Sequence, residues 1–471
     1  MFLIPDYRAS NTVPILLTPT KSQSKQTICR LLHSYSSTTT VSYCANKKIS
    51  SLLSDNIKKK TNFVAKKNRK DMKRVISLVL KALLPVLLLA VAAQVTAQTT
   101  MTEDSGEHVN GKRWMDVDGH HINAHGGNIL RHNNTYYWYG EHRPYRGFTT
   151  EKGIAVYSSA DLKTWKNEGI ALSVSNEQGN DIERGCIMER PKVVYNEKTH
   201  KFVMLFHLEL KDRGYDAARV AFAVSDTPTG PFRYLRSQRL HAGQWPFNMD
   251  ERQQAEAKKT RAEDWKKWWT PKWLREVEKG MYLWRDFEGG QMSRDMTVYI
   301  DDDGHAYHIT SSQENLTLLV SELTSDYQDY TGRYVMVAPG GQNEAPCIFK
   351  HQGRYWLICS GCTGWNPNEA RMFTATSIWG PWKQLPSPFR GTATGYHNMP
   401  ADKTFGAQGT YIMNINGQPV FMADIWNPRH LSESLHLWLP IHFEAKEGTG
   451  SIPVIEWADK VPYIVDNITG E

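Results

Sequence analysis

One phrase recurs along this chain and limits its fold more than any other feature. A turn residue leads into a strand of aromatic and β-branched residues that ends in polar ones. Copies stand at Asn133–Glu141 (NNTYYWYGE), Lys198–His207 (KTHKFVMLFH), Asp303–Thr310 (DGHAYHIT), Gln352–Cys359 (QGRYWLIC) and Asn416–Asp424 (NGQPVFMAD). A Gly or Asn at the head of such a phrase suits a hairpin turn with positive φ. A second phrase joins a strand with Ser/Thr, a turn containing Asp or Gly-Pro, and an aromatic: AVYSSADLKTW, AFAVSDTPTGPF, LLVSELTSDYQDY and FTATSIWGPW. Two hairpins per unit, at intervals of roughly 50–65 residues apart from one stretched interval, predict an all-β, five-bladed β-propeller. A two-sheet sandwich is the alternative. The stretched interval contains Asp250–Glu278, rich in Lys, Glu, Ala and Trp, and predicts a helical insertion around 250–280 on the rim. Its Trp265, Trp268, Trp269 and Trp273 either cap a glycan site or pack the insertion down.

The N-terminal part reads differently. Residues 72–97 lie in the text MKRVISLVLKALLPVLLLAVAAQVTAQ, a basic start, an apolar run and then small residues. That is the layout of a signal peptide, with Val95-Thr96-Ala97 as the cleavage site. Lys81 interrupts the run, which falls short of the ~20 residues of a membrane span. Residues 1–71 read as a non-native or disordered leader, and 98–471 as the propeller domain. Residues 1–97 carry 16 Lys+Arg against 3 Asp+Glu; the rest carries 40 against 46. The mature chain is therefore mildly acidic and offers no electrostatic case for nucleic acid. Its four cysteines, Cys186, Cys347, Cys359 and Cys362, lack a second CxxC and read as small buried thiols. Asp301-Asp302-Asp303-Gly304 is too short for a calcium loop and reads as a hairpin turn. No ligand spacing among the histidines predicts a metal, although the axis leaves room for a structural calcium ion.

Three carboxylates share one placement. Glu189 (MERPKVVY), Asp295 (SRDMTVY) and Glu344 (NEAPCIFK) each stand at the start of an apolar strand, in three different units. In a propeller the leading residues of the innermost strands converge on one funnel. Crowded, desolvated acids there have pKa values pushed apart, as acid–base chemistry requires. Trp138, Tyr139, Trp365, Tyr396 and Trp426 lie near these positions in the reading, and flat rings beside carboxylates suit a sugar. No nucleophile elbow or Ser–His pairing is present.

Ala124–Gly127 (AHGG), Tyr136–Glu141 (YYWYGE), Glu189–Lys192 (ERPK), Ser293–Met296 (SRDM), Glu344–Pro346 (EAP) and Thr363–Trp365 (TGW) together resemble glycoside hydrolase family 43, over roughly 110–445. Within it they look most like the exo-β-1,3-galactanase branch. The resemblance implies that Glu344 is the general acid and that Asp295 tunes and orients it. It implies that Glu141 and Glu189 hold sugar hydroxyls, with Thr363, Gly364 and Trp365 shaping the galactose pocket; Tyr396 and Trp426 are the aromatics read as lining it. His125 fills the axis or touches substrate. Most of the family carries an Asp base in the first blade. Here that stretch reads Ile122–Asn128 (INAHGGN), without a carboxylate, while Asp116 and Asp118 upstream look like turn residues. The branch places a Gln on the last blade instead, matched by Gln408 in FGAQGTY. An amide serves there through its imidic tautomer or by positioning a water, and Glu189 is the carboxylate alternative.

The expectation is therefore an exported, inverting, exo-acting β-1,3-galactosidase of galactan or arabinogalactan, a monomer requiring no cofactor. Its destination is a bacterial periplasm, cell surface or medium, and no membrane span remains after signal cleavage. An α-L-arabinofuranosidase or β-galactofuranosidase of the same family is the first alternative. A non-catalytic glycan-binding propeller is the second.

Overall fold

The computed structural model describes residues 108–261, 270–446 and 450–461. The expected leader and signal peptide lie outside the described residues, as do Trp265, Trp268 and Trp269. Each recurrent phrase becomes the turn and second strand of an antiparallel sheet, and each second phrase becomes its third strand and the turn beyond. The first sheet is β1 (His125–His132), β2 (Thr135–Glu141), β3 (Gly153–Ser159) and β4 (Lys166–Ser173). The second is β5 (Ile187–Asn196), β6 (Lys201–Glu209), β7 (Arg219–Ser225) and β8 (Arg233–Gln238). The third is β9 (Met296–Ile300), β10 (Ala306–Ser312), β11 (Thr317–Leu323) and β12 (Tyr330–Val337). The fourth is β13 (Glu344–His351), β14 (Arg354–Ser360), β15 (Arg371–Ala375) and β16 (Lys383–Leu385).

The chain then departs from the pattern. After β17 (Phe389–Arg390) comes a small pair, β18 (Thr392–Ala393) with β19 (Met399–Pro400). A three-stranded sheet follows, β20 (Gln408–Ile415), β21 (Gln418–Ile425) and β22 (Leu435–Pro440). Finally β23 (His442–Lys446) and β24 (Gly450–Glu456) form a hairpin, and β24 takes β17 as a parallel neighbour. Sheets of three or four strands thus number six among the described residues, so the propeller has six blades and the five expected from the sequence is corrected. The sixth blade escaped because its one hairpin, β23–β24, matches none of the recurrent phrases, and its third strand, β17, pairs in parallel from a segment far earlier in the chain.

Apolar layers between successive sheets hold the ring together. Tyr139, Val156, Val193 and Phe206 pack the first sheet on the second, and Val194, Phe222, Val298 and Leu319 pack the second on the third. Ile309, Leu318, Ile348 and Leu357 join third to fourth; Trp138, Ile129, Met413 and Trp438 join β20–β22 back to the first sheet. Trp138 and Tyr139 are therefore core residues, not site aromatics. The inner strands β1, β5, β9, β13 and β20 neighbour one another in that order, and β20 returns to β1. Phe389 and Ile455 of the sixth blade share a core with Leu437 and Leu439 of β22. Asp459 O and Val461 N then bond Asn110 N and His108 O, at 2.8 and 3.1 Å.

The insertion is helical. α1 (Glu251–Ala257) is capped by Asp250 in a capping box with Gln253, and α2 (Pro271–Glu278) begins at Thr270 with proline in its first turn. α3 (Met281–Arg285) follows. Trp273 is 1% exposed and packs with Val277, Met281, Tyr282 and Leu316, so this tryptophan pins the insertion to the third sheet. Among the described residues no helix is long and apolar enough to cross a membrane.

Candidate active site

The heads of the inner strands meet at one end of the axis, and a repeated irregularity aims them there. Register shifts fall between His125 and Asn128 in β1, Glu189 and Lys192 in β5, Glu344 and Cys347 in β13, and Gly409 and Tyr411 in β20. The residue after the first three heads is left-handed: Gly126 at φ +65°, Arg190 at +53° and Ala345 at +51°. Such bulges turn a side chain out of the sheet's alternation. Each head also faces a polar residue at the tail of the second strand, pairing His125 with Glu141, Glu189 with His207, Glu344 with Ser360 and Gln408 with Asp424. The polar ends of the recurrent phrases supply this outer row.

Glu344 accepts from Asn315 Nδ2 at 2.6 Å. Burial, then the nearby charge of Asp295, pushes its carboxyl up to about 8, against the pull of Arg190. Asp295 receives the backbone N–H of Ala345 at 3.1 Å and pairs with Arg190 Nη2 at 2.9 Å, both through Oδ2. A carboxyl that keeps its proton near neutral pH beside one held by a cation is the arrangement that proton donation to a leaving oxygen needs.

Glu189 is quite different. Its Oε1 accepts from Arg143 Nη2 at 2.8 Å and Tyr215 Oη at 2.9 Å, and His207 Nδ1 lies 3.2 Å from Oε2. Burial alone would raise this carboxyl, but Arg143 and His207 outweigh it and hold it well below the usual range. It is ionised, fully occupied and weakly basic. His207 lies between Glu189 and Glu209; burial opposes its charge, yet the two carboxylates lift it to about 9. Glu141, 2% exposed, takes the N–H of Arg190 at 2.7 Å and an ion pair from Arg143, and burial pushes it up to about 7.

Gln408 heads β20, the inner strand beside β13. Its Oε1 accepts from Arg190 Nη2 at 2.5 Å and Trp426 Nε1 at 2.9 Å, and its Nε2 donates to Ser360 Oγ at 3.0 Å. Trp426 meets Trp365 edge-on at 5.2 Å, and Trp365 remains 38% exposed. These two rings form the apolar side of the site. Thr363 and Gly364 are exposed on the loop carrying Trp365, with Thr363 Oγ1 accepting from Asn368 at 2.7 Å. A cavity of about 330 Å³ adjoins this loop, lined in part by Cys362, Thr363, Asn368, Arg371 and Gln384 but by none of these carboxylates. Tyr396 is not drawn in. It packs against Trp457 and over Gly111, with the core beside the sixth blade.

His125 is buried below the site. Its Nδ1 lies 3.2 Å from Asp424 Oδ1, its ring stacks on His436 at 4.8 Å, and Gly126 N donates to Asp424 Oδ2 at 2.6 Å. Burial lowers His125 to about 4, while the hydrogen bonds of both histidines hold Asp424 well below the carboxylate range. Lys192 fills the axis beside it, donating to Gly126 O at 2.7 Å. Ligand atoms of His125, Asp424 and His436 lie within 4.8 Å of one another, as do those of Glu189, His207 and Asp295. In the second group the guanidinium groups of Arg143 and Arg190 already supply positive charge. Asp301 and Asp302 both take Lys350 Nζ at 2.8 Å in the β9–β10 turn. The described cysteines are unpaired, and all but Cys362 are buried.

Sequence reasoning missed Arg190, Arg143, Asn315 and the Asp424–His436 pair. Arg190 was visible within ERPK, but a residue following a strand-head acid is ordinarily aimed away from it, and only the bulge reverses that.

Proton-holding and ionised carboxylates, amides and open tryptophans at the end of a propeller axis define a glycoside-cleaving enzyme. The model of the family described as glycosyl hydrolases family 43 matches residues 255–416. A solved GH43 β-1,3-galactosidase with galactodeoxynojirimycin is similar at 56% identity and TM-score 0.71, over 75% of this chain and 99% of that one. An exo-β-1,3-galactanase from Clostridium thermocellum is 32% identical, TM-score 0.58, over 76% of this chain and 66% of that one. One from Phanerochaete chrysosporium, solved as a variant with β-1,3-galactotriose, is 28% identical, TM-score 0.57, over 75% and 67%. No curated protein matches. The chain belongs to glycosyl hydrolase family 43 and is a glycoside hydrolase.

Proposed function

We propose that the enzyme removes galactose from the end of β-1,3-linked galactan chains in a single displacement with inversion. The observation that carries the chemistry is the pairing of Glu344, its carboxyl pushed up to about 8, with the cation-held Asp295. The sugar specificity rests on the similarity to the GH43 β-1,3-galactosidase. Glu344 gives its proton to the glycosidic oxygen as the C1–O bond breaks, and Asp295 keeps that proton available near neutral pH. Trp365 and Trp426 offer flat apolar faces to the galactose ring. Gln408 holds the attacking water. The carboxylate alternative, Glu189, is already engaged by Arg143, Tyr215 and His207.

The test is proton NMR of β-1,3-galactobiitol, whose reduced end contributes no anomer, during hydrolysis by the protein without residues 1–97. α-Galactose appears first, and Glu344→Gln abolishes it. Early β-galactose refutes single displacement; no galactose, with an aryl α-L-arabinofuranoside cleaved instead, refutes the sugar assignment.

A further inference from the structure

The Gln408 amide is held on three sides, and its orientation limits what it can do. A carbonyl oxygen has two lone pairs, and here both are taken, by Arg190 Nη2 and Trp426 Nε1. Both partners are obligate donors, so the oxygen, not the nitrogen, must face them. One amide N–H goes to Ser360 Oγ. What remains for a water is the second N–H. An imidic tautomer would place a hydroxyl hydrogen against two N–H groups.

Arg190 reaches this position from the bulge after Glu189 and is 5% exposed. Besides Gln408, its Nη1 donates to Gly409 O at 2.9 Å, its Nη2 pairs with Asp295 Oδ2 at 2.9 Å, and its backbone N–H serves Glu141. One guanidinium thus ties β5 to the head of β20 and to the residue before β9. The charged and titratable groups around it are Asp295, Glu141, Asp424, Glu189, Lys192 and Glu344.

We propose that Arg190 is the positioning residue of this site, clasping Gln408 and Asp295 together so that Gln408 meets the attacking water as an N–H donor. The amide then holds the water without receiving its proton. This rests on the displacement described above: the water oxygen bonds to C1, the C1–O bond breaks, and the Glu344 proton goes to the leaving oxygen. The proton lost by the water goes to solvent water, and Glu344 regains its own proton from solvent once the products leave. Arg190 touches none of the reacting atoms.

Three variants test the assignment, assayed on β-1,3-galactobiose. Arg190→Lys keeps the charge but cannot span both partners. Its kcat falls about 100-fold or more while KM stays within about threefold. Arg190→Ala regains kcat on addition of millimolar guanidinium, with an unchanged Tm, which a merely structural role would not produce. Gln408→Glu loses kcat because a carboxylate has no N–H to offer. Wild-type kcat in Arg190→Lys, or no rescue by guanidinium, overturns the positioning role. An active Gln408→Glu with a new acidic limb shows instead that this position takes the proton. If wild type cleaves only the arabinofuranoside, the sugar assignment fails, and the same variants on that glycoside still decide the role of Arg190.

Discussion

Replacing Asp295 by Asn changes charge and little else. The Asn oxygen still accepts the Ala345 N–H, and the side chain keeps its size, but the negative charge beside Glu344 is gone. That charge is the second cause, after burial, of a Glu344 carboxyl near 8. Removing one neighbouring charge shifts a carboxyl by roughly 1–3 units. The acid works only while protonated, so a lower pKa moves the basic limb of the pH profile downward. With a shift of about 1.5 units, about half of the wild-type molecules but only about 3% of the variant's carry that proton at about pH 8. At about pH 5 nearly all carry it in both. The wild-type to variant ratio of kcat/KM should therefore grow about 15-fold between those two values. Loss of the Arg190 ion pair lowers the rate at every pH and leaves this ratio intact. Stopped assays of galactobiose hydrolysis across the range measure it directly. A basic limb that stays in place, whatever the drop in rate, refutes Asp295 as the group that tunes Glu344.

Glu344→Gln should stabilise the fold while ending activity. The folded carboxyl near 8 lies above its ordinary 4.5, so between about pH 4.5 and about 8 the unfolded chain ionises this group while the native state holds it protonated, and stability falls progressively across that window. The gain in Gln should be absent in acid and grow across that window to on the order of 5 kcal/mol in urea titrations. Gly126→Ala should cost both stability and activity: its Cβ would lie 2.2 Å from Glu141 Oε1, at φ +65°. Normal kcat in that variant would mean that Glu141 has no need of its place. Trp273→Ala should lower stability by about 3–5 kcal/mol with KM unaltered; a raised KM at constant Tm would make Trp273 a sugar contact.

Much of the site was legible because strand heads and strand tails are both written in the chain. Glu189, Asp295 and Glu344 precede apolar runs, while Glu141, His207 and Asp424 close the aromatic ones. Cross-strand register then brings the two rows together. What could not be read was the cation lattice. Arg143 and Arg190 have no periodic signature, and the reach of Arg190 to Asp295 and Gln408 depends on a bulge visible only in three dimensions. Tyr396 misled for the opposite reason: a flat ring read as lying beside the carboxylates suits a sugar site, but here it covers Gly111 in the core. The sixth blade was invisible because its hairpin matches none of the recurrent phrases and its third strand pairs from a remote segment.

That blade has a bearing on how the molecule is made. β24 pairs with β17, and residues 459–461 bond His108 and Asn110, whose side chain in turn holds Trp438. The earliest and latest described segments are thus stitched to each other beside β22. A nascent chain that has not yet delivered residues 450–461 from the ribosome has its first five sheets but neither the central strand of the last one nor the clasp beyond it. Truncation within β24 should leave the ring, which β20 closes on β1, without the clasp between its earliest and latest described segments, so an affinity tag belongs after this segment and never in place of it.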